Sequence, residues 1–189
     1  MISIVDKILA ISATLDAQGL PYAFGGALAL AFCTERARGT IDIDVNVFVG
    51  PEEAGRVLGA LHPAINHTET DLRVLERDGQ TRLWWDRTPV DIFLDTTDFH
   101  VQAAQRRQLH EFGGRRIPFL GCSDLAVFKA FFNRTKDWAD LEEMIAIGAL
   151  NVDQTLGVLI RYLGEDDDRV ERLRSLTAPS EPTRGLGSS

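Results

Sequence analysis

The sequence predicts an α/β or α+β fold with a mixed β-sheet flanked by helices and a helical C-terminal subdomain. Residues 40–49 (TIDIDVNVFV) alternate between apolar and polar side chains, as in a half-buried strand. Residues 4–18 repeat apolar side chains at a helical spacing, and the pattern is again helical from residue 123 onward. Helices and strands that alternate before a helical end favour this class over an all-α or all-β fold.

The elements are separated by residues that typically end helices or form turns. Gly19 and Pro21 end the first helix, and Gly25-Gly26 separates a short strand from the next helix. Asp78-Gly79 indicates a hairpin, so the segments on either side of it are predicted to be strands. In order, the predicted elements are a helix at 4–18, a strand at 22–24, a helix at 27–36, a strand at 40–49, a helix at 51–61, and strands at 72–76, 81–85 and 90–94. They are followed by a helix at 99–108, a hairpin over 110–119 that turns at Gly113-Gly114, helices capped by Ser123 and Thr135, and helices at 152–163 and 166–176. We expect a sheet of about five or six strands.

The composition is that of a globular protein with one main domain. The chain has 189 residues, of which 44% are hydrophobic and 25% are charged, and no apolar run is long enough to cross a bilayer. The elements predict a core over residues 1–120, a helical subdomain over 121–176 and a flexible tail over 177–189, which is rich in Pro, Gly and Ser. Because a signal-peptide pattern is lacking and Cys33 and Cys122 make neither a zinc set nor a disulfide framework, we expect a cytoplasmic protein with reduced cysteines.

The charge of the chain restricts its partners. A net charge of −8 and a pI near 5.0 argue against a general nucleic-acid coat protein, because phosphate contacts need concentrated positive charge. A local basic patch is still compatible with this charge. The chain has three lysines, Lys7, Lys129 and Lys136, and two of them lie within one short stretch.

Acidic side chains in two apolar strands are the first candidate functional groups. Asp42 and Asp44 are two residues apart on one strand and project from the same face. Ile41, Ile43 and Val45 form the buried face. Asp91 lies in the apolar strand VDIFL, where it must face water, a partner or a metal. Close carboxylates repel each other unless a cation lies between them, and Mg²⁺ prefers carboxylate and phosphate oxygens. The alternative is a solvent-facing pair of acids and an edge strand with one exposed acid.

A Gly-Gly pair lies between the short strand at 22–24 and the helix that follows it. Glycines allow a ligand to approach the backbone closely, and the free N–H groups at a helix start attract an anion. Gly25 and Gly26 are therefore candidates for phosphate binding. The alternative is a tight turn with no ligand.

In this order, the motifs resemble those of the nucleotidyltransferase superfamily, which has a polymerase-β-like fold with a mixed sheet. The resembling segments are Phe24-Gly25-Gly26, residues 38–44 (RGTIDID) and Val90-Asp91-Ile92. A later segment, KAFFNRTKDWAD over residues 129–140, is similar to the motif of AbiEii/MenT-type nucleotidyltransferase toxins. The resemblance covers residues 20–145. For the Lys136–Asp140 part, the alternative is an i,i+4 ion pair on a solvated helix face.

The resemblance implies a Mg²⁺-dependent enzyme that transfers a nucleotide from an NTP, with distinct roles for the motif residues. The implied metal ligands are Asp42, Asp44 and Asp91, the implied catalytic residues are these three with Lys129 and Asp140, and the implied nucleotide-binding residues are Gly25, Gly26, Arg38, Thr40, Lys136 and Asp137. One departure is Ala27, because many nucleotidyltransferases have Ser after the Gly-Gly pair. Backbone N–H groups must then hold the phosphate without a hydroxyl. A phosphate on Thr40 would block Mg²⁺ and NTP, which suggests a regulatory route.

The molecule that receives the nucleotide is implied by the resemblance to AbiEii/MenT-type toxins. Known AbiEii/MenT-type toxins act on the 3′ end of tRNA, so the resemblance implies a toxin that blocks translation and is neutralised by an antitoxin protein. Adjacent strand residues face opposite sides, so at most one of Trp84 and Trp85 can stack on a base. A basic strip for RNA would consist of Arg106, Arg107, Arg115 and Arg116, with His100 and His110, and the alternative is that these are ordinary solvated charges.

Two other functions remain open at this point. A small-molecule, aminoglycoside-type nucleotidyltransferase would need an acidic acceptor pocket, which the net charge of −8 would suit. A domain that binds a nucleotide or a partner without chemistry would not need the complete set of acids and Lys129.

Overall fold

The computed structural model describes residues 2–36, 39 and 41–177. The chain divides into two compact units, residues 1–125 and residues 126–189. Among the described residues, none of the helices combines the length and the apolar character needed to traverse a bilayer.

The N-terminal unit interleaves helices with the strands of one sheet. Its elements are α1 (Ile4–Ala17), β1 (Tyr22–Phe24), α2 (Gly26–Thr34), β2 (Ile43–Val47), a 3₁₀ turn (Pro51–Glu53), α3 (Ala54–Ala60), β3 (Ile65–Asn66), α4 (Glu69–Asp78), β4 (Gln80–Trp85), β5 (Thr88–Leu94), α5 (Asp98–Arg106), β6 (Gln108–Phe112), β7 (Arg115–Phe119) and the start of α6 (Cys122–Phe132).

The seven strands found in the described part of the chain form one mixed sheet in the order β3-β4-β5-β2-β1-β7-β6. The pairs β2–β5 and β1–β7 are parallel, and the other neighbouring strands are antiparallel. The predicted α/β class with a mixed sheet is confirmed. The sheet has more strands than expected because β3 is only two residues long and leaves little trace in the sequence pattern.

Helix α1 is fixed to the sheet by apolar packing and by one buried cation. Ser3 and Asp6 form a capping box at its start, and Ile8 and Leu15 are fully buried along its inner face. The Nζ atom of Lys7, which is only 5% exposed, donates to the carbonyl oxygen of Trp85 at 2.9 Å. This contact ties the helix to the end of β4.

The predicted strand at 72–76 is wrong, since this segment belongs to helix α4. Thr68 caps the helix through a capping box with Asp71, in which the Thr68 N–H donates to Oδ2 of Asp71 at 2.7 Å. Gly79 has a φ of +66° and ends the helix, so Asp78-Gly79 is a helix end and not a hairpin turn. The hairpin partner of β4 is instead β5.

Three smaller expectations also need correction. Ile41 is 73% exposed, because β2 begins only at Ile43, so that Ile41 and Asp42 precede the strand. Ser123 lies inside α6, which begins at Cys122, and so it does not cap that helix. Thr135 is the first residue of α7 (Thr135–Ala146), whose cap position is occupied by Arg134.

The expectation of two unbonded cysteines is wrong as well. Cys33 at the end of α2 and Cys122 at the start of α6 form a disulfide, with their Cα atoms 5.6 Å apart. The sequence separation of 89 residues hid this proximity, because the fold alone brings the two helix ends together. Such bonds persist mainly in oxidising environments.

The C-terminal unit is helical, as predicted. After the remainder of α6 it contains α7, α8 (Val152–Leu163) and α9 (Asp168–Thr177). Asn151 caps α8 by accepting from the N–H of Gln154 at 3.0 Å. Apolar side chains from each of these helices are buried, including Leu141, Leu159 and Leu173.

Candidate functional site

Strands β2, β4 and β5 bring polar side chains together on one face of the sheet. In the parallel β2–β5 pair, Asp44 is the direct partner of Asp91. In the antiparallel β4–β5 pair, Arg82 is the direct partner of Asp91 from the other side. Since side chains alternate along a strand, residues on this face come from every second position, and the apolar neighbours face the core. Asp42, Asp44 and Asp91 are referred to below as the carboxylate cluster.

Arg82 is a cation that contacts this cluster. Its Nε and one of its terminal nitrogens donate to the two carboxylate oxygens of Asp91, each at 2.7 Å. The same terminal nitrogen lies 3.6 Å from Oδ2 of Asp42. The hydrogen bonds to Asp91 raise the pKa of the Arg82 guanidinium above its usual value, and the charges of Asp91, Asp42 and Asp44 add to this effect. Asp91 and Asp42 therefore share this guanidinium.

The Gly-Gly turn lies directly against the cluster. The N–H of Gly25 donates to the carbonyl oxygen of Asp44 at 2.9 Å, and α2 begins at Gly26. Gly26 has a φ of +53°, which an L side chain rarely adopts, and a Cβ there would lie 1.8 Å from Oδ2 of Asp44. The missing side chain thus leaves the space that the Asp44 carboxylate occupies beside the start of a helix.

The carboxylate cluster beside the glycine turn offers oxygen ligands to a divalent cation. A hard cation takes oxygen ligands, and the cluster offers carboxylate oxygens that share one guanidinium and border the glycine turn. In chemical type, these carboxylate oxygens are the ligands that Mg²⁺ prefers. As the side chains stand, the described residues contain no group of three or more His, Cys, Asp or Glu arranged to hold a metal ion.

The later motif forms a second, separate cluster within the C-terminal unit. The Nζ atom of Lys129 donates to Oδ2 of Asp140 at 2.7 Å and lies 3.6 Å from Oδ1 of Asp137. Lys129 and Asp140 are less than a tenth exposed and Asp137 is fully buried. Arg134 also donates to Asp137, from Nε at 2.6 Å. The predicted alternative, an exposed pair of Lys136 with Asp140, does not describe this arrangement, because Asp140 is buried against Lys129.

The other predicted nucleotide-binding residues are Arg38, Thr40 and Lys136. Arg38 and Thr40 lie outside the described residues. Lys136 is exposed on α7. The structure therefore brings together Gly25, Gly26 and the carboxylate cluster in one unit, and Lys129, Asp137 and Asp140 in the other.

Most of the arginines and histidines of the predicted basic strip have local partners. Arg106 donates from Nε to Oδ2 of Asp124 at 3.1 Å, and Arg107 donates to the carbonyl oxygen of Ala104. Arg115 and Arg116 are both exposed on β7, with Arg115 4.0 Å from Asp16. His100 is buried, and the ring of His110 stacks on Phe32 with centroids 4.4 Å apart.

The prediction for the tryptophan pair is confirmed in its alternation. Trp85 is 2% exposed and packs in the core, whereas Trp84 is 49% exposed. Trp84 is two residues from Arg82 on β4, so both side chains lie on the face that carries Asp91.

Arg82 is the residue that the sequence analysis missed. The signal was present: Asp86-Arg87 is a two-residue turn, and counting back from it places Arg82 opposite Asp91. This register was hidden because β4 was paired with residues 72–76. Asp86 adopts a φ of +55° in that turn. Asp tolerates this conformation, but a Gly at the same position would indicate the turn more clearly in the sequence.

Comparison with solved structures supports the fold of the chain. No protein-family model and no curated protein sequence matches the chain. A solution structure of the antibiotic-resistance factor ANT(2'')-Ia aligns at 18% identity with a TM-score of 0.53, covering 90% of this chain and 89% of that one. A crystal structure of ANT(2'')-Ia in complex with adenylyl-2''-tobramycin aligns at 15% identity with a TM-score of 0.58, covering 92% and 98%. The chain therefore has a nucleotidyltransferase-type fold.

Proposed function

We propose that this protein is a divalent-metal-dependent nucleotidyltransferase that transfers a nucleotide from an NTP to the 3′ end of tRNA. In this proposal it is the cytoplasmic toxin of a toxin–antitoxin pair, and an antitoxin protein neutralises it. The observation that carries the proposal is the position of Asp44, which pairs with Asp91 and lies against the glycine turn at the start of α2.

Three groups of residues have roles in the proposed reaction. Asp42, Asp44 and Asp91 would hold Mg²⁺, which would supply positive charge to stabilise the charge that develops at phosphorus. The first amide groups of α2 would bind the terminal phosphates, because the start of a helix attracts anions.

Asp91 acts on the acceptor. It orients the incoming hydroxyl and accepts its proton while the hydroxyl oxygen forms a bond to the α-phosphorus. The bond from that phosphorus to the leaving oxygen breaks, and pyrophosphate departs. The resemblance also implies a catalytic role for Lys129, and within the C-terminal unit Asp140 and Asp137 hold its ammonium group through the contacts described above.

The second candidate function is transfer to a small, cationic acceptor of the aminoglycoside type. It is favoured by the fold likeness to ANT(2'')-Ia, whose crystal structure contains adenylyl-2''-tobramycin. The net charge of −8 also suits a cationic acceptor better than a polyanionic one.

One incubation separates these functions. Purified protein is mixed with Mg²⁺ and each labelled NTP in turn, together with either total tRNA or tobramycin. We expect label at the tRNA 3′ end, and the Asp44→Asn protein serves as the inactive control. Label on tobramycin alone would support the second function, and no label on either acceptor would contradict both in favour of a binding domain.

A further inference from the structure

We propose that Arg82 is a positioning residue for the carboxylate cluster. Arg82 holds Asp91 when no divalent cation is bound, and it must release Asp91 when one binds. This inference rests on the metal-dependent function proposed above. It assigns a role to Arg82, which lies outside the motifs that suggested that function. The following observations on contacts, charge and exposure support it.

Both carboxylate oxygens of Asp91 are already bound by Arg82. The two hydrogen bonds of 2.7 Å form the two-pronged geometry in which a guanidinium binds a carboxylate most strongly. A carboxylate that ligates a metal must offer it at least one oxygen. Binding of a cation by Asp91 therefore requires at least one of these two hydrogen bonds to be weakened or broken.

The charge of Arg82 serves more than one acid. Its terminal nitrogen is 2.7 Å from Oδ2 of Asp91 and 3.6 Å from Oδ2 of Asp42, and Asp44 is the strand partner of Asp91. A guanidinium in this position reduces the repulsion between the acids, which is the role that a divalent cation would also have. The two positive groups therefore compete for the same carboxylates.

The exposure of the two partners allows this exchange. Asp91 is 15% exposed at its side chain, and Arg82 is 51% exposed. The strand fixes the backbone of Arg82, but its long side chain can turn outward into water, where a guanidinium remains charged.

The test measures binding of Mn²⁺, a spectroscopic substitute for Mg²⁺, by electron paramagnetic resonance in the absence of NTP. We expect Arg82→Gln to bind Mn²⁺ about 2- to 5-fold more tightly, which is the effect of removing one partly exposed ion pair. Arg82→Lys keeps the charge without the two-pronged geometry and should give a smaller increase. Arg77→Gln is the matched control, because it removes an exposed arginine that pairs with Asp78 and leaves the cluster intact.

A second measurement separates positioning from a purely structural role. The melting temperature is recorded with EDTA and with saturating Mn²⁺. Because a ligand that binds more tightly stabilises more, Mn²⁺ should raise the melting temperature of Arg82→Gln by more than that of the wild type. A purely structural ion pair would lower both melting temperatures equally.

The outcomes distinguish this inference from the proposed function. Unchanged or weaker Mn²⁺ binding by both Arg82 variants would overturn the role of Arg82, even if nucleotide transfer is observed. Failure of every variant to bind Mn²⁺ would overturn the metal site together with the inference. Tighter binding in a protein that transfers no nucleotide would support the role of Arg82 and contradict the proposed reaction.

Discussion

Gly26 leaves open the space that the carboxylate of Asp44 occupies, since a Cβ on Gly26 would lie 1.8 Å from Oδ2 and 2.5 Å from Cγ of Asp44. The two residues belong to different motifs, one in a turn and the other in a strand. Their contact means that the shape of the turn and the position of the acid depend on each other.

Replacement of Gly26 by Ala should therefore displace Asp44. We expect a loss of about 1–3 kcal/mol in the free energy of unfolding from backbone strain and the clash, and nearly complete loss of nucleotide transfer. Urea denaturation and the transfer assay measure the two effects. The control is Gly114→Ala, where φ is +78° and an added Cβ meets nothing within 4 Å. Equal transfer by the two variants would contradict the role given to this contact.

Replacement of Asp44 by Asn keeps the size of the side chain and removes its charge. We expect transfer to fall by about 10²- to 10³-fold, since an electrostatic contact at the reacting centre is lost. Stability should change little, because Asp44 is only partly buried. Single-turnover assays at saturating NTP test this, with Asp71→Asn in the α4 capping box as a control for an acid outside the cluster.

Lys129 compensates two buried acids, so its loss should destabilise the C-terminal unit. Lys129→Met leaves Asp140 without this donor and deprives Asp137 of a nearby charge, and we expect a loss of about 3–5 kcal/mol in unfolding free energy. Lys136→Met, on an exposed position of α7, should lose less than about 0.5 kcal/mol. Urea denaturation followed by circular dichroism compares the two. Similar midpoints would contradict the buried ion pair.

Asp95 should make stability depend on pH. Burial raises its pKa to about 7, and within the described chain its Oδ1 is buried without a hydrogen-bond partner. Because the folded-state pKa is above the unfolded value near 3.8, the folded protein retains a proton that the unfolded chain loses between these pH values. The contribution of Asp95 to stability therefore falls as the pH rises from about 4 to 7.

The Asp95→Asn variant isolates this effect from other titrations. Its unfolding free energy, measured in urea at pH 5 and pH 8, should fall less with pH than that of the wild type. Parallel pH profiles for the two proteins would show that Asp95 is not the group responsible.

The disulfide between Cys33 and Cys122 should be detectable by thiol titration. We expect no free thiol in the denatured protein without reductant and two after reduction. Reduction should lower the unfolding free energy by up to about 4 kcal/mol, since the bond closes a long loop in the unfolded chain. The Cys33→Ser/Cys122→Ser variant should not respond to reductant. Two thiols in protein isolated without reductant would contradict the bond.

The sequence pattern was sufficient for most elements, but it misled at Asp78-Gly79. Periodicity located α1, β5 and the C-terminal helices because each has a strong apolar repeat. A Gly after Asp is typical both of a hairpin turn and of a helix end. The capping box of Thr68 and Asp71 decides between them, because it provides the start of a helix that Gly79 then ends.

By itself, the sequence determined which groups are available: two acids two residues apart, a third in an apolar strand and a glycine pair before a helix. These are local patterns, and local backbone geometry is enough to read them. Only the tertiary structure decided which of them meet. Strand register places Asp44 and Arg82 on either side of Asp91, and the fold joins Cys33 to Cys122. Such contacts link distant parts of the chain, and a shift of register by one residue would turn every side chain to the opposite face.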